Sequence, residues 1–158
     1  MRVAAIFIAA LVFAASSAGE KDKPFKQTPE ETQLFELTNA ERKKKDLGQL
    51  VMNPALSKIA RAHAENMARQ GKMEHKLDGK TQFDRLRAAG YIYEAASENL
   101  VWGEDGATVA FIMKHLMDSK VHRTNILYAD YTETGVGMAR DKAGDIYYAQ
   151  LFGRPEKK

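Results

Sequence analysis

A chain of 158 residues with formal net charge +3 and no cysteine is long enough for one compact domain with a core of its own. The missing cysteine excludes disulfide staples, thiol catalysis and thiolate metal sites. The basic residues are scattered apart from "ERKKK" at 41–45, so no basic stripe interleaved with aromatics marks a nucleic-acid surface.

The first segment reads as a targeting signal. Arg2 precedes an apolar run from Val3 to Ala15, and Ser16 and Ala18 occupy the −3 and −1 positions of a cut after Ala18. This pattern predicts a signal peptide over 1–18 and secretion into the periplasm or the medium. The run is shorter than the roughly 20 residues of a membrane-spanning helix, and no transmembrane segment is expected in the mature chain. Residues 19–27, "GEKDKPFKQ", read as a flexible leader.

A single domain is expected over 28–153, with a polar tail at 154–158. Its first helix starts at Thr28-Pro29, where Glu31 completes a Thr-x-x-Glu capping box, and Gly48 is a stop. A second helix runs from Asn53-Pro54 to Gly71, with Leu56, Ile59, Ala60, His63 and Met67 on one amphipathic stripe. A shorter helix around "TQFDRLRAAG" ends at Gly90. "SENLVWG" at 97–103 reads as a short strand or extended segment whose Trp102 belongs in the core. A fourth helix, roughly Ala107–Ser119, carries Val109, Ile112, Met113 and Leu116 on one face. "TGVGMAR" and "DIYYAQLFG" then read as two strands joined by "DKAG". Tyr147, Tyr148 and Gln150 alternate across the last strand. Four helices and a sheet of three strands make a mixed domain.

Four histidines require sorting. His63 falls on the apolar stripe and reads as packed, whereas His115 lies off the stripe of its helix and reads as exposed. His75 and His122 each fall just past a predicted helix, in segments that read as loops, where function concentrates. Glu98 adds a single carboxylate beside an apolar segment, where burial demands a partner. Two imidazoles and a carboxylate suit a divalent cation such as zinc, a polar ligand, or acid–base chemistry. No His-Glu-x-x-His, Gly-x-Ser-x-Gly or phosphate-binding glycine loop is present.

The order of the segments is more specific than any one of them. "LTNAER" at 37–42, "LSKIARAHAENMA" at 56–68, "EHKLDGKTQFDRLRAAGY" at 74–91, "SENLVWG", "SKVHRTNIL" at 119–127 and "TGVGMARDKAGDIYYAQLFG" at 134–153 together resemble the CAP superfamily. This is the SCP-like domain named for cysteine-rich secretory proteins, antigen 5 and plant pathogenesis-related 1 proteins, here in its cysteine-free bacterial form. The resemblance implies an α+β fold, a three-layer α-β-α sandwich around a small central antiparallel sheet. It also implies a cleft with two histidines and two acidic residues, which in some relatives holds a divalent metal. His75, Glu98 and His122 match three of these positions.

At the fourth, Ser119 replaces the second glutamate, which removes a carboxylate and weakens any zinc site. Lys120 and Val121 replace a Pro-Gly turn, and Lys120 is expected to bring positive charge to the cleft rim beside Ser119. Asn39 and Arg42 match a helix-one Asn-x-x-Arg and are expected to bond the scaffold. Asp78, Arg85, Arg123 and Asn125 are expected to bridge helices and loops.

Three functions fit this pattern. The first is a secreted or envelope domain whose cleft binds a small molecule, lipid, peptide or cell-envelope component, with or without a divalent cation. The second is a metal-assisted hydrolase in which Glu98 activates water held by His75 and His122. The third is an interaction module whose cleft residues form a rigid polar network.

Overall fold

The structure, a computed structural model, describes residues 25–157. The expected signal peptide at 1–18 and residues 19–24 of the leader lie outside the described residues. The end of the leader is fixed against the domain: Gln27 Nε2 donates to Ser57 Oγ at 2.6 Å, and the Arg61 guanidinium stands 4.1 Å above the Phe25 ring.

Helix α1, Pro29–Lys43, opens on the capping box, with the Thr28 hydroxyl accepting from the Glu31 amide at 3.2 Å and the Glu31 carboxylate accepting from the Thr28 amide at 2.9 Å. Glu31 is also fully buried; it pairs with Arg61 and accepts from the Met138 amide at 3.0 Å. One carboxylate thus caps a helix and joins three elements. Helix α2, Pro54–Gln70, is capped by Asn53 and closed by Gly71 at φ +63°, the left-handed conformation that glycine adopts without strain. Its stripe residues Leu56, Ile59, Ala60, His63 and Met67 are all buried.

The remaining helices are α3 (Gln82–Ala88), α4 (Val109–Asp118) and α5 (Lys120–Ile126). Strands β1 (Val51–Met52), β2 (Tyr93–Gly103), β3 (Glu133–Arg140) and β4 (Ile146–Pro155) form one sheet in the order β1-β3-β4-β2. The alternation of β4 divides the core. Ile146, Tyr148 and Phe152 pack toward α1, α4 and α5 with Leu34, Ile112, Leu116 and Ile126. Tyr147, Ala149 and Leu151 pack toward α2 and α3 with Leu56, Met67 and Leu86. The result is three layers, as the resemblance implies. Gln150 shares the first face, where its Nε2 donates to Thr38 Oγ1 on α1 at 2.9 Å.

Two glycines set the spacing between α2 and the sheet. A Cβ at Gly135 would stand 2.3 Å from the Leu56 carbonyl carbon, and one at Gly137 would stand 1.9 Å from the Arg61 amide nitrogen. Backbone therefore lies directly on backbone, leaving no room for a side chain.

The structure differs from the sequence expectations in four places. The sheet has four strands and is mixed, because β1 runs parallel to β3 while the other pairings are antiparallel. A two-residue strand carries no periodicity to read. β2 begins at Tyr93 rather than Ser97, and β4 continues to Pro155, into the segment read as a tail. There are five helices among the described residues: Ser119 ends α4 and caps α5, so His122 sits in a helix rather than a loop. Finally, Trp102 is 40% exposed rather than buried in the core. It alternates onto the same side as Leu100, but near the end of β2, which is an edge strand of the sheet.

Candidate functional site

Glu98 is placed by the pleat of β2, with its side chain fully buried. Burial of an unpaired carboxylate would be costly, and both oxygens are paired. Oε2 accepts from Arg85 Nη2 on α3 at 2.6 Å, and Oε1 faces His75 Nδ1 at 2.8 Å. A carboxylate only accepts, so Nδ1 carries a proton, and in the neutral ring Nε2 is the acceptor. Arg85 Nη1 also donates to the backbone carbonyls of His75 and Lys80 at 3.0 and 3.2 Å. The loop bearing His75 is thereby clamped to both α3 and β2. Arg85 entered the sequence reading only as a bridging group; its pairing with Glu98 spans 13 residues and two elements, beyond the reach of local pattern.

The other end of this loop is held by α2. His63 Nε2 lies 3.0 Å from the Glu74 carbonyl, which selects the Nε2–H tautomer. Burial holds the His63 pKa below its ordinary value. Asp78 sits at φ +50° in the turn joining Leu77 to Lys80 and accepts from Asn66 and Gln70 on α2 at 2.9 and 3.1 Å. Hydrogen bonding from Asn66 lowers its pKa.

His122 is held through its backbone. Its amide donates to the capping Ser119 Oγ at 3.5 Å, and its carbonyl accepts from Asn99 Nδ2 at 3.1 Å. Asn99 Oδ1 in turn accepts from Asn125 Nδ2 at 2.8 Å, so α5 is tied to β2. Arg123 caps the end of α4 through the Met117 and Asp118 carbonyls. Arg42, fully buried, donates to the carbonyls of Gly48, Ile126, Tyr128 and Tyr131. Asn39 makes two bonds with the backbone of Leu50. The His122 Nδ1 atom is buried without a partner among the described residues. Burial lowers the His122 pKa, and the nearby imidazoles of His115 and His75 act in the same direction.

A cavity of about 570 Å³ opens beside His122, along the free edge of β2. Trp102, Phe111, Met73, Leu100 and Val101 supply apolar wall, and His115 and His122 supply imidazole. Trp102 and Phe111 are 40% and 56% exposed. His75, Ser119 and Lys120 are not among its lining residues. Phe111 left one sequence clue: it lies off the Val109, Ile112, Met113 and Leu116 stripe of α4.

The donor chemistry fits a resident divalent cation poorly. Both oxygens of Glu98 are already bonded, one of them to a guanidinium. Among the described residues no group of three or more His, Asp or Glu side chains is placed to hold a metal, whereas protein zinc sites use three or four such ligands.

The comparisons with known proteins agree on the architecture. The family described as "CAP: Cysteine-rich secretory protein family" matches residues 35–152. The uncharacterized protein YkwD of Bacillus subtilis is 35% identical over 125 residues, 78% of this chain but 47% of that protein, so the chain spans less than half of that relative. An outer surface protein of Borrelia burgdorferi superposes with a TM-score of 0.74 at 20% identity, covering 83% of this chain and 97% of that one. An extracellular SCP-domain protein of Bacillus anthracis gives 0.69 at 24% identity, over 82% of this chain and 44% of that one.

Proposed function

The chain belongs to the CAP family of cysteine-rich secretory proteins, and from that premise we propose that it is a secreted or envelope-associated binding domain for a small, largely apolar ligand. Secretion is supported by the signal-peptide pattern at 1–18 and by the likeness to an extracellular SCP-domain protein. No helix among the described residues is long and apolar enough to cross a membrane. Ligand candidates are a lipid, a peptide or an envelope fragment.

The observation that carries the reading is the cavity of about 570 Å³ with half-exposed Trp102 and Phe111 in its walls. That volume falls in the range of small-molecule sites, and large aromatics left open to solvent gain from being covered. The imidazoles of His115 and His122 in the lining offer the polar contact that would orient a ligand. In this scheme the His75–Glu98–Arg85 cluster holds the neighbouring wall rigid, which the full pairing of Glu98 supports. The binding role is preferred to a metal-assisted hydrolase because Glu98, needed there as a base, is neutralised by Arg85.

The test uses the uncharged fluorophore N-phenylnaphthylamine. Residues 19–158 should bind it saturably, and Phe111→Ala should weaken binding about tenfold, the effect of losing one large aromatic contact. Equal affinity in the two proteins would remove the cavity from consideration.

A further inference from the structure

The cavity has a charge as well as a shape. Besides its apolar wall it is lined by Glu104 and Asp105, and no lysine or arginine of the described residues lines it. Glu104 makes no ion pair among the described residues, and Asp105 has only a distant one, 3.8 Å from Arg140. Arg140 is itself shared with Glu30 at 3.9 Å and with the Gly144 carbonyl at 3.2 Å. This local negative charge runs against the chain as a whole, whose formal charge is +3. It therefore belongs to the cavity and does not follow from composition.

The aromatic wall has the same preference. Trp102 and Phe111 line the cavity, and aromatic rings, tryptophan most strongly, attract cations to their faces. Resting on the reading of this cavity as a ligand site, we infer that its ligand is an organic cation: an ammonium group carried on an apolar body. The carboxylate of Glu104 faces the charge, and the apolar wall covers the body. Anionic lipids and fatty acids meet the wrong sign at this mouth. Lys120, read from sequence as a positive group on the rim, does not line the cavity.

The chain contains one tryptophan, and it is in the cavity wall, so intrinsic fluorescence reports occupancy directly. Decyltrimethylammonium, decanol and decanoate present one alkyl chain with positive, neutral and negative ends. Titrated into residues 19–158 at low salt, the cation should bind about tenfold more tightly than decanol, the scale of one exposed cation–π contact joined to a carboxylate. Decanoate should bind least. Salt should erode the preference for the cation, since the carboxylates are exposed. Glu104→Gln should lower the affinity for the cation and leave that for decanol unchanged; Glu104 is exposed, so the variant keeps the fold.

Decanol binding as tightly as the cation would overturn the inference and leave the apolar-ligand reading standing. So would a preference that survives in the Glu104→Gln/Asp105→Asn double variant. Silence of Trp102 toward all three amphiphiles, together with failure to bind N-phenylnaphthylamine, would overturn both.

Discussion

At the scale of single residues, the two members of the Glu98–His75 pair have different roles. The Glu98 side chain is fully buried and opposes Arg85, which is 13% exposed, whereas His75 is 52% exposed. Removing one partner of a buried ion pair strands the other, and typically costs about 3–5 kcal/mol. Glu98→Ala should therefore lose about 3 kcal/mol in urea-induced unfolding, while His75→Ala should lose well under 1 kcal/mol, as is usual for exposed contacts. Comparable losses would mean that His75 is as structural as its partner. His63 and His122 make stability depend on pH. Burial holds both below the ordinary value of 6.5. Below pH 6.5 the unfolded chain takes up protons that the folded chain refuses, so this stability is fully present above pH 6.5. It falls away as the pH drops toward the folded pKa values, by up to about 1.4 kcal/mol per pH unit for each proton. Unfolding free energy measured between pH 7 and 5 should decline, and His63→Gln, which keeps a donor for the Glu74 carbonyl, should flatten the slope. An unchanged slope would mean that His63 is not held neutral.

Among the elements, the seam between α2 and β3 tolerates least. A Cβ at Gly137 would fall 1.9 Å from the Arg61 amide, and backbone, unlike the tip of a flexible side chain, has no rotamer by which to move away. Ordinary overpacking costs about 1–3 kcal/mol; Gly137→Ala should exceed this, losing about 3 kcal/mol or more in urea. Gly79→Ala, by comparison, meets no atom within 4 Å and is opposed only by its φ of +74°. Its loss should be smaller, about 1–2 kcal/mol. The helix starts were legible because Thr28 and Asn53 announce themselves within three residues, as was the α2 stripe. The seam was not: "TGVGMAR" reads as a strand whichever element its glycines face. α5 was missed for a related reason. Its seven residues are too few to show a stripe, and its position depends on Arg42 and Asn99, both distant in sequence. His75, Glu98 and His122 became candidates through motif order and resemblance, since no local spacing links them. Glu104 and Phe111 went unassigned because each alone is ordinary, and Trp102 reads from its apolar neighbours as core; only the fold gathers the three around one cavity.

For the molecule as a whole, the question is whether its stability is its own or borrowed from a bound ion. Without cysteine it has no disulfide to constrain the unfolded chain, so the core packed on both faces of the sheet must suffice unless a metal contributes. A resident metal at a hundredfold excess over its dissociation constant would add about 2.7 kcal/mol. In a domain of this size its removal would lower the melting temperature by roughly ten degrees. The ligand geometry argues against such a contribution: Glu98 spends its charge on Arg85, and Ser119 uses its hydroxyl to cap α5. That leaves His75 and His122 as a pair of imidazoles, without Glu98 or Ser119 to join them as a further ligand. Melting residues 19–158 in a chelator and in micromolar zinc should give the same temperature within about a degree, and calorimetry should detect no saturable zinc binding. A zinc-dependent rise that disappears in the His75→Ala/His122→Ala variant would show instead that water and the two imidazoles suffice to hold the ion. Metal chemistry would then return to the cleft, with Nε2 of His75 as the atom to examine first.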